Sequence, residues 1–158
     1  MSDTLQTPTP NPTAERLPEP VAVLARIMRE GFMTGDADLV DELVAPDLVE
    51  HQFGLDGSGA DAIDHVKAAI RDVHAMMPDA TAELADWALA GDTAWCRFEV
   101  RGTQTGPFFG PPSGRPVALT VIDIARVVDG RIVEHWGVPD RFAILAQTGM
   151  LRRLAPQS

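Results

Sequence analysis

The stretch "PVALTVIDIARVVDGRIVEHWGV", residues 116–138, decides the fold. Its two halves are rich in valine and isoleucine, and they are joined by the pair Asp129-Gly130. An Asp-Gly pair between two such runs is a strong signal for a tight β-hairpin, because both turn positions need a positive φ. The stretch therefore predicts two long antiparallel strands, of which the first is apolar except for Thr120, Asp123 and Arg126.

Two further strands are predicted before this hairpin. Residues 81–92, "TAELADWALAGD", form a strand that ends in a tight turn, and residues 93–105, "TAWCRFEVRGTQT", follow it. The second segment alternates small or apolar side chains with Trp95, Arg97 and Glu99, which is the period of a strand with two different faces. The Gly/Pro loop "GPFFGPPSGR", residues 106–115, then leads into the hairpin.

Helical spacing dominates the first half of the chain. Apolar residues recur three and four apart over residues 20–33, over a short segment around 39–44, and over 60–76. Helices followed by a run of strands are typical of an α+β fold. We expect a long curved antiparallel sheet with three N-terminal helices on its concave side, which together enclose a cavity. A last short helix is predicted over about 141–151.

The chain of 158 residues suits a single domain, predicted over 20–152. Residues 1–19 are rich in proline and polar residues and are predicted to be a disordered tail, and 153–158 to fray. With 23 acidic against 13 basic residues the net charge is −10, which disfavours nucleic acid and anionic membranes as partners. Because no apolar run is long enough to span a membrane and the start lacks a signal-peptide pattern, we expect a cytoplasmic protein.

Cysteine and histidine usage argues against a metal site. Cys96 is the only cysteine, so an intramolecular disulfide and a cysteine-based zinc site are both excluded. The four histidines are scattered and form no pair at ligand spacing, so no metal is expected.

Three segments carry a resemblance to a known family: "GDADLVDELVAPDLVEH" (35–51), "GDTAWCRFEVRGTQTGPFFGPPSGR" (91–115) and "IDIARVVDGRIVEHWGVPD" (122–140). They resemble the SnoaL-like polyketide cyclases, or ester-cyclase-like proteins, of the nuclear transport factor 2-like superfamily. The resemblance spans about residues 21–150. It implies the cone-shaped fold of that superfamily and a homodimer that associates through the convex face of the sheet. It also implies ring closure by an intramolecular aldol reaction on a polyketide ester, with a carboxylate as general acid/base and no metal or cofactor.

This chain departs from the family at the position of the best-known catalytic residue. Gly137 stands where the cyclases have an aspartate, and Asp123, one strand earlier, stands where they have a histidine. The resemblance thus implies either that the carboxylate has moved across the sheet or that the chemistry differs. Gly137 is expected to leave space that enlarges the pocket.

Asp123 is the leading candidate for a catalytic base. A carboxylate within an otherwise apolar strand is costly to bury unpaired, so such a group is usually paired or functional. The alternative is an ion pair with Arg126 or Arg97. Strand parity places Arg126 on the opposite face from Asp123, which weakens the first of these pairs.

Two histidines are candidate partners of Asp123. If residues 48–51 are extended, Val49 and His51 point one way and Leu48 and Glu50 the other, and the resemblance favours His51 as the pocket residue. The alternative for His51 is a surface histidine in a loop or one that caps a helix. Glu50 is then expected to face solvent or to pair with an arginine. The resemblance implies that position 137 faces the cavity, and His135 shares its parity and should face the cavity too, although a histidine packed in the core is an equally good interpretation. Glu134 and Trp136 should face outward.

The candidate substrate-binding residues are Trp95, Phe53, Phe109, Gly137 and Asp140. Core packing is the commoner role for each of the aromatic side chains. Phe108 and Phe109 cannot both point inward, so one of them should cover the pocket mouth or contact a second subunit. For Asp140, the preferred interpretation is the N-cap of the terminal helix.

The leading functional hypothesis is a cofactor-free cyclase or isomerase that moves a proton beside the carbonyl group of a small apolar or polyketide-like ligand. Asp123, assisted by His51 or His135, would carry that proton. One alternative is an epoxide hydrolase or hydratase that activates water. The other is a dimeric small-molecule-binding protein without catalysis.

Overall fold

The computed structural model describes residues 16–154. Most of the predicted N-terminal tail and residues 155–158 lie outside the described residues. Helix α1 (Glu19–Arg26) runs directly into a π-helical segment (Ile27–Phe32), so the predicted first helix is present in two forms. The remaining helices are α2 (Leu39–Leu43), α3 (Gly59–Met76), α4 (Arg141–Gln147) and α5 (Met150–Leu154).

Six strands form one sheet in the order β2-β1-β6-β5-β4-β3. They are β1 (Val44–Glu50), β2 (Gly57–Ser58), β3 (Thr81–Ala90), β4 (Thr93–Thr103), β5 (Pro116–Val128) and β6 (Arg131–Pro139). The pairs from β3 to β6 are antiparallel, as predicted, whereas β1 joins β6 in parallel.

The predicted hairpin joins β5 to β6. Asp129 and Gly130 have φ values of 51° and 73°, which is the pair of positive angles that a two-residue hairpin turn requires. The turn pairs Val128 with Arg131 and Val127 with Ile132. A one-residue register shift follows between Val127 and Arg126, and beyond it Asp123 pairs with Gly137 and Ala125 with His135. The turn together with this register shift therefore determines which side chains meet across the centre of the sheet.

The concave face of the sheet packs against α1, the π-helical segment and α3. Burial alternates along β5, where the inward row comprises Val117, Leu119, Val121, Asp123, Ala125 and Val127. Asp123 thus occupies one position in a row that is otherwise apolar. The π-helical segment places Ile27, Met28 and Phe32 against the same interior, and such segments are frequent at functional sites.

The C-terminal helices close one end of the molecule. Asp140 accepts a hydrogen bond from the backbone N–H of Ala143 at 2.9 Å and so caps α4, which agrees with the preferred interpretation. Gly149, with a φ of 78°, separates α4 from α5, so the predicted single helix is divided. Within residues 16–154, no helix combines the length and the apolar character needed to cross a membrane.

Candidate active site

A cavity of about 370 Å³ lies between the concave face of the sheet and the helices. Aliphatic and aromatic side chains from α1, the π-helical segment, α3 and the sheet form most of its wall. Its polar lining residues are Glu50, Gln52, His65, Asp72, Asp123, His135 and Arg141. A polar ligand group entering this cavity would therefore meet few hydrogen-bonding partners other than these side chains.

Three of the polar residues form a row across neighbouring strands. Glu50 on β1 is the direct register partner of His135 on β6. Asp123 on β5 is paired with Gly137, two residues beyond His135 on the same face of β6. Side chains at such paired and diagonal positions lie close together on one face of a sheet. The sheet thus brings together residues that are 73 and 12 positions apart in the sequence.

The imidazole of His135 lies between the two carboxylates. Its Nδ1 atom is 2.8 Å from Oε2 of Glu50, and its Nε2 atom is 3.4 Å from Oδ1 of Asp123. The side chains of Glu50 and Asp123 are only 2% and 9% exposed. We call this row of Glu50, His135 and Asp123 the acid–imidazole row.

The two carboxylates differ in how many hydrogen-bond partners their oxygens have. Glu50 accepts hydrogen bonds from Nδ1 of His135 and, at 2.8 Å, from the backbone N–H of Gln52. Among the described residues, Asp123 has no partner other than the imidazole. Asp123 therefore keeps acceptor capacity on the wall of the cavity, whereas Glu50 is fully engaged in holding its neighbours.

The environment of His135 favours the imidazolium form. Burial by itself lowers the pKa of His135, but the interactions with Asp123 and Glu50 outweigh this and raise the pKa from 6.5 to about 10. At neutral pH both ring nitrogens then donate, and His135 cannot act as a base. Within the row, only the carboxylates then have lone pairs that could accept a proton.

The structure contradicts the predicted inward orientation of His51. Its Nε2 atom lies 2.9 Å from Oε1 of Glu134, and its ring stacks on that of Trp136 with a centroid separation of 4.7 Å. His51 does not line the cavity, and its side chain is 40% exposed. Glu134 and Trp136 lie on the outer face of the sheet, as expected from the parity of β6.

Glu50 takes the place predicted for His51, so the expectation that Glu50 faces solvent or pairs with an arginine was wrong. Strand β1 turns Leu48 and Glu50 inward and leaves Val49 38% exposed. Leu48 and Val49 are both apolar, so the sequence offered no clear signal for the direction of the strand. Pairing of β1 with β6 decides it.

Three aromatic residues that were predicted to contact the substrate lie outside the cavity. Trp95 is 49% exposed on the outer face of β4, because its strand neighbours Ala94 and Cys96 take the inward positions. Phe53 is 84% exposed in the loop after β1, and Phe109 is 67% exposed. None of these three lines the cavity.

Phe108 is the member of the adjacent phenylalanine pair that reaches the cavity. Its ring meets that of Phe109 edge-on with centroids 4.7 Å apart, which leaves one ring inside and one outside. Gln104, fully buried, holds the base of this Gly/Pro loop: its Nε2 donates to the carbonyl of Gly106 and its Oε1 accepts from the N–H of Ser113. A buried glutamine thus fixes the loop that presents Phe108.

The space expected at Gly137 is not empty. A Cβ atom at Gly137 would overlap Oε1 of Gln52 and would approach Cε1 of His135 to 3.0 Å. The cavity is therefore not enlarged there, because the side chain of Gln52 fills the position. Asp140, the last predicted contact, caps α4 and does not line the cavity.

Sequence reasoning missed Gln52 and Arg141. Gln52 belongs to the turn after β1, in which its carbonyl accepts from the N–H of Leu55. Arg141 begins α4, and both terminal nitrogens of its guanidinium donate to the carbonyl of Phe53 at 3.3 Å. No local pattern marks either residue, because the contact of Arg141 with Phe53, next to Gln52, joins segments 88 positions apart.

The described residues offer no metal site. No group of three histidine, cysteine or carboxylate side chains within residues 16–154 converges as metal ligands do. Glu50 and Asp123 lie on opposite sides of one imidazole, and that ring occupies the point where a shared cation would need to be.

Comparison with known proteins identifies the class. A family model for SnoaL-like polyketide cyclases matches residues 22–148, and the chain belongs to this family. The architecture is the nuclear transport factor 2-like fold, also described as ketosteroid isomerase-like. Family membership supports a cyclase- or isomerase-type function. Among curated proteins, no significant match was found.

Solved structures of several Streptomyces proteins are similar to this chain. IdmH, a proposed polyketide cyclase from Streptomyces antibioticus, is 37% identical with a TM-score of 0.70; the match covers 82% of this chain and 98% of IdmH. TsrD from Streptomyces laurentii is 29% identical with a TM-score of 0.72, covering 85% of this chain and 98% of TsrD. AclR, a proposed hydroxylase from Streptomyces galilaeus, is 26% identical with a TM-score of 0.71, covering 89% of this chain and 84% of AclR.

Proposed function

We propose that this protein is a cofactor-free cyclase or isomerase that acts on a small, neutral carbonyl compound. The observation that carries the proposal is the carboxylate of Asp123, which lies on the wall of an apolar cavity with the imidazolium of His135 behind it. In this arrangement Asp123 faces the ligand as a base, and the positive charge of His135 stabilises its carboxylate from the other side. Family membership and the resemblance to IdmH support the same class of reaction.

The chemistry starts with proton abstraction. Asp123 accepts a proton from the carbon next to a substrate carbonyl, and the electron pair of that C–H bond forms an enolate. In a cyclisation, the enolate carbon attacks a second carbonyl of the same molecule, a C–C bond forms, and the resulting alkoxide takes a proton back from Asp123. In an isomerisation, the proton returns to a different carbon of the same substrate. Neither route consumes an external reagent.

Glu50 and His135 serve this step as positioning residues. Glu50 holds Nδ1 of His135, so that Nε2 is directed at Asp123. The positive imidazolium partly neutralises two buried carboxylates, which leaves the row with a net charge of about −1. A negative row in an apolar cavity disfavours anionic substrates, which is the reason for proposing a neutral one.

The test is the substitution Asp123→Asn, with Asp64→Asn on the exposed face of α3 as the matched control. Asparagine keeps the size of the side chain but cannot accept the proton. Positioned proton transfer contributes roughly 10² to 10⁴-fold to a rate, so turnover of an aldol-type or enolisable substrate should fall by at least about 100-fold. Substrate binding should stay within about 3-fold, because the cavity wall is unchanged. Full turnover in Asp123→Asn would refute the role of Asp123.

A water-activating function is the second candidate, since Asp123 could equally accept a proton from water. Product formed in ¹⁸O-labelled water separates the two: incorporated label indicates a hydrolase or hydratase, and unlabelled product a cyclase or isomerase. A ligand that is bound and recovered unchanged would indicate a binding protein.

A further inference from the structure

The side chain of Gln52 occupies the volume into which any side chain at position 137 would project. A Cβ atom at Gly137 would lie only 2.0 Å from Oε1 of Gln52 and 3.0 Å from its Cδ atom, so the two side chains would overlap. Gly137 is itself buried and is the register partner of Asp123. The amide of Gln52 therefore lies beside the acid–imidazole row, and this position is open to it only because residue 137 is glycine.

The side-chain amide of Gln52 has unused hydrogen-bonding capacity. Among the hydrogen bonds of residues 16–154, those of Gln52 involve only its backbone: the N–H donates to Glu50, and the carbonyl accepts from Leu55. The amide group lines the cavity and makes no hydrogen bond to the described residues. A glutamine amide carries two N–H donors and a carbonyl acceptor, and because Oε1 packs against Gly137 it is the two N–H donors that are available to a ligand.

The backbone of Gln52 is held firmly even though its amide is unoccupied. Glu50 fixes the N–H of Gln52 at 2.8 Å, and Arg141 fixes the carbonyl of the next residue, Phe53. Hydrogen bonds on both sides of Gln52 thus fix the backbone position from which its side chain enters the cavity. Anchoring of this kind lowers the entropy lost when the amide orders on a ligand.

We propose that Gln52 binds the carbonyl oxygen of the substrate and stabilises the enolate that Asp123 generates. This inference deepens the proposed function and rests on it: the substrate class is a compound with an enolisable carbonyl whose oxygen reaches the Gln52 amide. A neutral donor suits the site, because it stabilises developing negative charge on oxygen without adding a charge near Asp123. Gly137, on this proposal, has the role of making room for Gln52.

Binding of 2-naphthol, followed by its fluorescence, tests the proposal without requiring turnover. Its hydroxyl oxygen on a flat apolar ring mimics an enol oxygen. Replacing Gln52 by leucine, which is similar in size but has no amide, should weaken binding about 10-fold, the value of one well-formed hydrogen bond. Phe53→Ser, in the same loop but outside the cavity, is the matched control and should bind naphthol as the unaltered protein does.

A double-substitution cycle with Gly137 tests the structural half of the proposal. Gly137→Ala should weaken naphthol binding about as much as Gln52→Leu, because the added methyl group displaces the amide. In a Gln52→Ala background, Gly137→Ala should add less than about 2-fold, since the side chain it would displace is gone. The side-chain ¹⁵N resonance of Gln52 should shift when naphthol is added to the unaltered protein.

Three results would overturn the proposal: no binding of naphthol to the unaltered protein, unchanged affinity in Gln52→Leu, or an equal effect of Gly137→Ala in both backgrounds. The outcome is separable from that of Asp123→Asn. Loss of turnover in Asp123→Asn with unchanged naphthol binding in Gln52→Leu would leave the proposed reaction standing and reject the role of Gln52. The reverse pair of results would leave a Gln52 binding site and reject the reaction.

Discussion

Glu50 and His135 are register partners on parallel strands, and their side chains meet at 2.8 Å inside the protein. The contact is notable because β1–β6 is the one parallel pairing among the described strands. It links β1, which follows α2, to the last strand, β6. It also directs the other ring nitrogen of His135 to Asp123. The first prediction concerns this contact.

Replacing Glu50 by glutamine should lower the pKa of His135 from about 10 toward its ordinary value, because one of the two carboxylates that raise it is neutralised. We expect the free energy of unfolding to fall by roughly 2 kcal/mol, as is usual when a buried hydrogen bond to a charged group is weakened. NMR titration of the His135 ring measures the first effect and urea unfolding the second. Glu134→Gln on the outer face is the control, and an unchanged His135 titration in Glu50→Gln would contradict the assignment.

The stability of the protein should decrease as the pH rises above neutrality. In the folded state His135 keeps its proton up to a pKa of about 10, compared with 6.5 for an unperturbed histidine. The folded state therefore binds more protons between these values, so its stabilisation is complete below pH 6.5 and is lost as the pH rises toward 10. Urea unfolding between these limits should show this fall.

The variant His135→Gln serves as the reference for that pH dependence. It lacks the titrating ring, so the fall attributable to His135 should be absent. Subtracting the curve of unfolding free energy against pH of His135→Gln from that of the unaltered protein removes the contribution of other titrating groups. One such group is Cys96, because burial raises the pKa of its thiol to about 12. Parallel curves for the two proteins would show that His135 is not the group responsible.

Gln104→Ala should loosen the Gly/Pro loop that presents Phe108. The substitution removes both hydrogen bonds of a fully buried amide and leaves the N–H of Ser113 and the carbonyl of Gly106 without that partner. A stability loss of roughly 2 kcal/mol is expected, with faster hydrogen exchange in residues 106–114. Thr105→Ala, at the exposed neighbouring position, is the control. Unchanged exchange in the loop would show that Gln104 does not hold it.

The outer face of the sheet is the proposed dimer contact. Val138 on β6 and Trp95 on β4 are 67% and 49% exposed there, which is unusual for large apolar side chains on a sheet face. We expect a homodimer in sedimentation, and Val138→Lys should shift it toward monomer because a charge would be buried at the contact. Asp47→Lys, at an exposed position of β1, is a comparison for the change of charge. Monomer in the unaltered protein would reject the prediction.

Local patterns in the sequence were sufficient for the main helices, for strands β3 to β6 and for the main hairpin, but not for β1 and β2. The Asp129-Gly130 turn and the alternation along β5 depend only on neighbouring residues, and the alternation correctly placed Asp123 on the inward face. Asp140 at the start of α4 is likewise a local cap. Each of these features arises from backbone sterics and side-chain periodicity within a few residues, so the sequence alone determines them. The inward position of His135 followed instead from the family resemblance at position 137, because the register shift between Arg126 and Val127 reverses the facing that the turn alone would give to β6.

Only the tertiary structure decided the rest of the candidate site. Leu48 and Val49 are both apolar, so nothing local says which one faces the core; pairing of β1 with β6 turned Glu50 inward and His51 outward. The place of Gln52 beside Gly137 depends on contact between segments 85 residues apart, as the Glu50–His135 pairing does. Register between distant strands is set by the fit of the whole sheet and its core, and a periodic pattern within one strand carries no information about it.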